Sequence, residues 1–70
     1  GEDAQMLLEM LRRTPDHTLP FTDKSDPEAI RQEFGISKGQ FKRAVGHLLK
    51  ARLVSMVNGK LILIKDPDDE

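Results

Sequence analysis

Seventy residues make at most one domain, near the lower limit at which burial alone outweighs chain entropy, so a small, locally connected fold is expected. Hydrophobic residues at 37% and charged residues at 33% fit a globular chain with a hydrated surface, and the absence of cysteine excludes disulfide frameworks, thiolate zinc sites and cysteine nucleophiles. The net charge of −1 conceals a polarised distribution: acids dominate up to Glu33, the stretch from Phe34 to Lys65 has no acid and carries Lys38, Lys42, Arg43, Lys50, Arg52, Lys60 and Lys65, and Asp66 to Glu70 is acidic again.

The chain opens Gly1-Glu2-Asp3 without an initiator methionine or a signal-like stretch, which reads as a piece excised from a longer protein. From Ala4 to Arg13, Met6, Leu7, Met10 and Leu11 recur at helical spacing and predict a first helix with those residues inward. Thr14-Pro15-Asp16 ends it, because proline lacks an amide donor and disfavours helical geometry in the residue before it. Leu19-Pro20-Phe21 predicts an extended or edge segment with Leu19 and Phe21 turned inward. Ser25-Asp26-Pro27-Glu28 starts a second helix, either with Ser25 as cap and Glu28 closing a capping box or with Asp26 as cap and Pro27 in the first turn. Ile30 and Phe34 share its buried face, and Gly35 stops it.

Ser37 and Gln40 form a further capping box directly after that stop, so the third helix begins within a tight turn, giving a helix-turn-helix. It is expected to run to about Ala51, to bury Phe41, Ala44, Val45, Leu48 and Leu49, and to expose Gly39, Lys42, Arg43, Gly46, His47 and Lys50. Leu53 to Val57 and Lys60 to Lys65 are rich in branched aliphatics and flank Asn58-Gly59, the pair best suited to a two-residue hairpin. The order of elements predicts an α+β winged helix over residues 1–65, followed by a frayed acidic tail over residues 66–70. No internal repeat is visible.

Catalysis finds little to build on. His17 stands in a turn beside Asp16 with no partner at ligand spacing, Asp23 and Asp26 fit turn and cap chemistry, and Gly35, Gly39 and Gly46 do not form a phosphate-cradling loop. No cofactor, metal or membrane segment is expected. The constellation that carries chemistry is the outward face of the third helix with the hairpin. Lys38, Lys42, Arg43 and Lys50, with His47 as a further contact and Lys60 beyond the wing turn, present cations that displace condensed counterions from a nucleic acid. Lys65 stands near the strand end. The competing reading is a solvated lysine-rich face; the acid-free stretch favours nucleic acid. Gly39 and Gly46 are weak helix positions on that face, open either to close approach by a partner or to no role. Gln40 is the one amide side chain near the face and no aromatic is exposed there, so strong sequence specificity is not expected.

The run Leu19-Pro20-Phe21-Thr22-Asp23-Lys24-Ser25, followed by Pro27-Glu28-Ala29-Ile30 and by Phe34-Gly35-Ile36-Ser37-Lys38-Gly39-Gln40-Phe41-Lys42-Arg43-Ala44-Val45-Gly46, resembles the carboxy-terminal domain of the conserved virulence factor B family of bacteria. The resemblance spans about Leu19 to Ile64 and implies a winged helix working beside upstream OB-fold domains of the same parent chain, in a cytoplasmic RNA-binding regulator of virulence. It implies RNA, single strands before duplex DNA, as the ligand, and the basic motif carries over as Lys38, Lys42, Arg43 and Lys50. A monomer is expected of the isolated domain. The alternative function is a protein-interaction or interdomain packing module in which the third helix docks on a sister domain without touching nucleic acid.

Overall fold

A computed structural model describes residues 1–68 as three helices and one antiparallel sheet. Helix α1, Glu2–Arg13, starts two residues before the expected boundary, with Glu2 and Asp3 in its first turn and Arg12 and Arg13 in its last, as the helix dipole favours. Its buried stripe is Ala4, Leu7, Leu8 and Leu11. Met6 and Met10, expected inside, are half-buried flanks, and Leu8 takes the inner position. Five of the six residues from Met6 to Leu11 are apolar, so two adjacent stripes compete and packing against the rest of the fold selects between them.

Strand β1 is Thr18–Leu19, and its ladder stops before Pro20, which has no N–H to give. Phe21 then turns inward and meets Phe34 edge-to-face at 5.0 Å between ring centroids, and Phe34 stacks on Phe41 at 5.3 Å. Of the two starts open to the second helix, the structure uses Asp26: its carboxylate accepts the Ala29 N–H at 3.3 Å, with Pro27 first in α2, Pro27–Phe34. Ser25 Oγ instead accepts the Thr22 N–H in the preceding turn. Gly35 ends α2 at φ 71°, where a side chain would be strained, and its N–H closes on the Arg31 carbonyl at 2.8 Å.

The capping box of the third helix forms in both halves: the Gln40 N–H donates to Ser37 Oγ at 3.1 Å and the Ser37 N–H to Gln40 Oε1 at 2.9 Å. Helix α3, Lys38–Lys50, buries Phe41, Ala44, Val45 and Leu48. Leu49, expected inside with them, is 41% exposed. At about 100° per residue it stands some 80° from Phe41, on the rim of the stripe rather than within it. After α3 the Arg52 N–H reaches the Leu49 carbonyl and the Leu53 N–H the Leu48 carbonyl, a Schellman arrangement with Arg52 at φ 62° in the place glycine usually takes.

Strands β2, Val54–Val57, and β3, Lys60–Leu63, are joined by Asn58-Gly59, both at positive φ (51° and 75°) as a type I′ turn requires. The sheet order is β1-β3-β2. Leu19, Leu61, Val54 and Met56 face the core, where α1 packs on α3 and β3 and where Leu7, Leu11, Ile30, Phe41 and Leu61 are fully buried. At the end of the expected domain the Ile64 and Lys65 amides both reach the Leu53 carbonyl, and in the segment beyond it, expected to fray, Asp66 and Asp68 bond to Arg12. Asp69 and Glu70, the rest of that expected tail, lie outside the described residues.

Candidate nucleic-acid interface

Helix α3 holds its inner face with four core side chains, so the rest of its circumference is fixed toward solvent. At about 100° per residue, Lys50 and Arg43 lie within roughly 20° of the outward direction or just beyond it, Lys42 lies some 70° to one side, and His47 a similar angle to the other. Lys42, Arg43, His47 and Lys50 are exposed, and Lys38, in the first turn below Lys42, is half-buried. The structure therefore places five of the six sequence-predicted contacts on one helix, spread over an arc, with Gly39 and Gly46 between the Lys42 and Arg43 sides.

Lys60 is placed differently. It alternates with the inward Leu61 and Leu63, so it stands on the solvent face of the sheet opposite Val57. It also adds, as the smallest of several causes, to holding the Asp16 carboxyl below its usual range; the Thr18 side chain contributes most, and the Thr18 backbone N–H donates to Asp16 Oδ1 at 3.3 Å. Lys60 and the α3 cations are thus separate features, joined only through the wing.

Among the described residues, ion pairs involve Arg12 and Arg31 alone: Arg31 with Glu28 at 3.2 Å, and Arg12 with Glu9, Asp66 and Asp68. Arg12 Nη1 bonds Glu9 Oε1 at 2.7 Å, Nε bonds Asp66 Oδ2 at 2.9 Å and Nη2 bonds Asp68 Oδ2 at 2.9 Å, so every guanidinium nitrogen has a carboxylate. The bond to Arg12 depresses the Asp66 pKa, the Asp68 amide and His17 adding to it, and it raises that of Arg12 against the opposing effect of desolvation. Asp66 and Asp68 are thereby held on α1 and not on the cations of α3.

The sequence gap in acids is narrower in space than along the chain. Glu2 and Asp3 share a cleft of about 350 Å³ with Gln40, Arg43 and His47, and Asp23 shares one of about 210 Å³ with Lys42, Val45, Gly46, Leu49 and Met56. Neither approach is an ion pair. Sequence reasoning missed both, since they arise from the docking of α1 and of the loop before α2 on α3. It also passed over Arg12, whose local environment looks like any solvated helix end, and Arg52, which no glycine marked as a helix stop.

No side-chain polar atom is buried without a partner, and no group of three or more metal-ligating side chains occurs among the described residues. His17 Nδ1 lies 3.1 Å from the Leu11 carbonyl, which only accepts, so Nδ1 carries the proton and fastens the turn. No helix among the described residues is long and apolar enough to cross a membrane.

A helix-turn-helix whose second helix presents cations, closed by a three-stranded sheet with a tight hairpin, defines a small winged-helix domain. The chain belongs to the CvfB-like winged helix domain family, which matches residues 5–63. It is 47% identical over 64 residues to conserved virulence factor B of Staphylococcus aureus strain USA300, and equally so to that of strain NCTC 8325, an alignment covering 91% of this chain and 21% of each relative. A crystal structure described as a multidomain protein with nucleic acid binding domains, from Streptococcus pneumoniae TIGR4, superposes with a TM-score of 0.86 at 42% identity, over 91% of this chain and 22% of that one. The chain thus spans about a fifth of the length of the relatives it matches.

Proposed function

We propose that this chain is an auxiliary, non-enzymatic RNA-binding module, working beside OB-fold domains in a larger cytoplasmic regulatory protein and binding single strands as a monomeric unit. The observation that carries this reading is the exposed arc of α3, where Lys42, Arg43 and Lys50, with Lys38 and His47 beside them, form no ion pair among the described residues. The match to conserved virulence factor B and the likeness to a multidomain protein with nucleic acid binding domains support it. Cations of this kind hold phosphates without reading sequence, and the scarcity of amide side chains near the arc fits a module that adds affinity to specific neighbours through effective concentration. Lys60 belongs to the same reading as an outlying contact from the wing.

The test is a titration of single-stranded RNA at several salt concentrations. Neutralising about four phosphates on a single strand gives a slope of log affinity on log salt near −3. Binding that is absent at low salt, or unchanged when Lys42, Arg43 and Lys50 are replaced by glutamate, defeats the proposal.

A packing role for α3 draws support from one specific feature, the Glu2 and Asp3 carboxylates beside Arg43 and His47, which temper one flank of the arc. Amide shifts along α3 on addition of an OB-fold segment of the parent, with none on addition of RNA, would select that reading instead.

A further inference from the structure

The cleft between α3 and β2 has a composition the phosphate-binding arc does not. Its floor is Val45, its walls are Leu49 and Met56, and its rim carries one cation, Lys42, and one carboxylate, Asp23. Leu49 is the one large hydrophobic side chain that α3 leaves exposed, and it is turned to this cleft rather than to the core. Gly46 keeps the mouth open. A Cβ built there meets nothing within 4 Å, so nothing within the chain requires glycine at that position.

Resting on the RNA-binding reading above, we propose that this cleft receives a single unpaired nucleobase, with Lys42 on the adjoining phosphate and Asp23 accepting an N–H from the base edge. At about 210 Å³ the space is below the roughly 300 Å³ at which pockets for drug-sized ligands begin, and it suits one planar base. The mixed rim argues for a nucleotide over a bare anion. A phosphate seated in the cleft would be repelled by Asp23, whereas a base presents an apolar face to Leu49 and Met56 and donor groups to the carboxylate. The cleft adjoins the cationic arc, so a strand held by Lys42 and Lys50 brings its bases to the opening. In a duplex the bases are stacked and paired, so the cleft selects single strands. Two further clefts differ from it: one is lined by Glu2, Asp3 and Arg43 with alanine as its apolar component, and the other joins Leu63 and Ile64 to Lys65 and Asp66, but there the carboxylate is already bonded by Arg12 and no residue of α3 takes part.

The experiment compares fluorescence anisotropy titrations of a six-nucleotide RNA and an abasic ribose-phosphate strand of the same length, against the chain and its Gly46→Leu variant. The chain is expected to favour the base-bearing strand by no more than about fivefold, the low end of what one base gains by stacking on an aromatic ring, since Leu49 and Met56 offer aliphatic contact only. Gly46→Leu, which lays a side chain across the opening, is expected to erase that preference while keeping affinity for the abasic strand and its salt dependence. Equal, salt-dependent binding of both strands by the unaltered chain overturns the base pocket and leaves the phosphate interface standing. Failure of both strands to bind at low salt overturns the interface and the pocket with it. Far-UV circular dichroism checks the variant's fold. Independently, methyl resonances of Leu49 and Met56 in the unaltered chain should shift with RNA and not with the abasic strand; unmoved methyls overturn the proposal.

Discussion

Arg52 adopts φ 62° where α3 gives way to β2, a conformation in which a β-carbon crowds the following carbonyl. The Schellman hydrogen bonds from Arg52 and Leu53 hold it there despite that cost. Arg52→Gly relieves the strain but frees the unfolded chain, and the balance is expected to stabilise the domain by about 0.5–1 kcal/mol. Urea denaturation checks this, as a rise in midpoint at constant slope. Asp66 behaves oppositely with respect to pH. Its carboxyl lies below the ordinary range because Arg12 donates to it, so the folded state binds its proton less readily than the unfolded chain does. The stability it contributes is therefore complete above the usual aspartate value of about 4 and is lost as pH falls through the lower, folded value. A carboxyl-carbon NMR titration should find the Asp66 midpoint below the normal range, and Arg12→Gln should raise it toward that range, with the Asp68 amide still holding it down in part.

At the scale of elements, what was readable from the chain was whatever its own neighbours decide. Ser37 with Gln40, and Asn58 with Gly59, act within four residues, and both formed as the spacing implied. Ser37→Ala should accordingly cost about 1 kcal/mol, visible as a lowered thermal midpoint. Met6, Met10 and Leu49 were misplaced and Leu8 overlooked by the same reasoning because a stripe's edge is drawn by the partner surface, which lies far along the chain. The candidate interface divides in the same way. Four cations and a histidine on one helix follow from periodicity alone, whereas the approach of Asp23, Glu2 and Asp3 to that helix and the apolar cleft beneath Gly46 depend on tertiary docking that no local pattern encodes. Phe41 ties the elements together, fully buried and stacked on Phe34. Phe41→Ala is expected to cost about 3–5 kcal/mol, against a total of roughly 4–10 for a chain this size. The cooperative melting transition should weaken severely or vanish.

Across the whole molecule the acids concentrate on α1, on α2 and in the last residues, and most of the cations without ion pairs among the described residues stand on α3 and around the wing, with Arg13 and Lys24 outside that group and with Glu2, Asp3 and Asp23 reaching its flanks. Net charge near zero therefore coexists with a surface able to attract a polyanion, and the pull should fade within a few tens of millimolar salt faster than any apolar contribution does.

Asp66 and Asp68 meet the guanidinium of Arg12 much as the oxygens of a phosphodiester would, which makes the end of the chain an internal decoy for that one arginine. Shortening the chain after Lys65 would leave that guanidinium with Glu9 alone and open two of its nitrogens to an external anion. On the RNA-binding reading proposed above, the shortened chain should engage RNA with one more displaced counterion, steepening its salt slope by about 0.7.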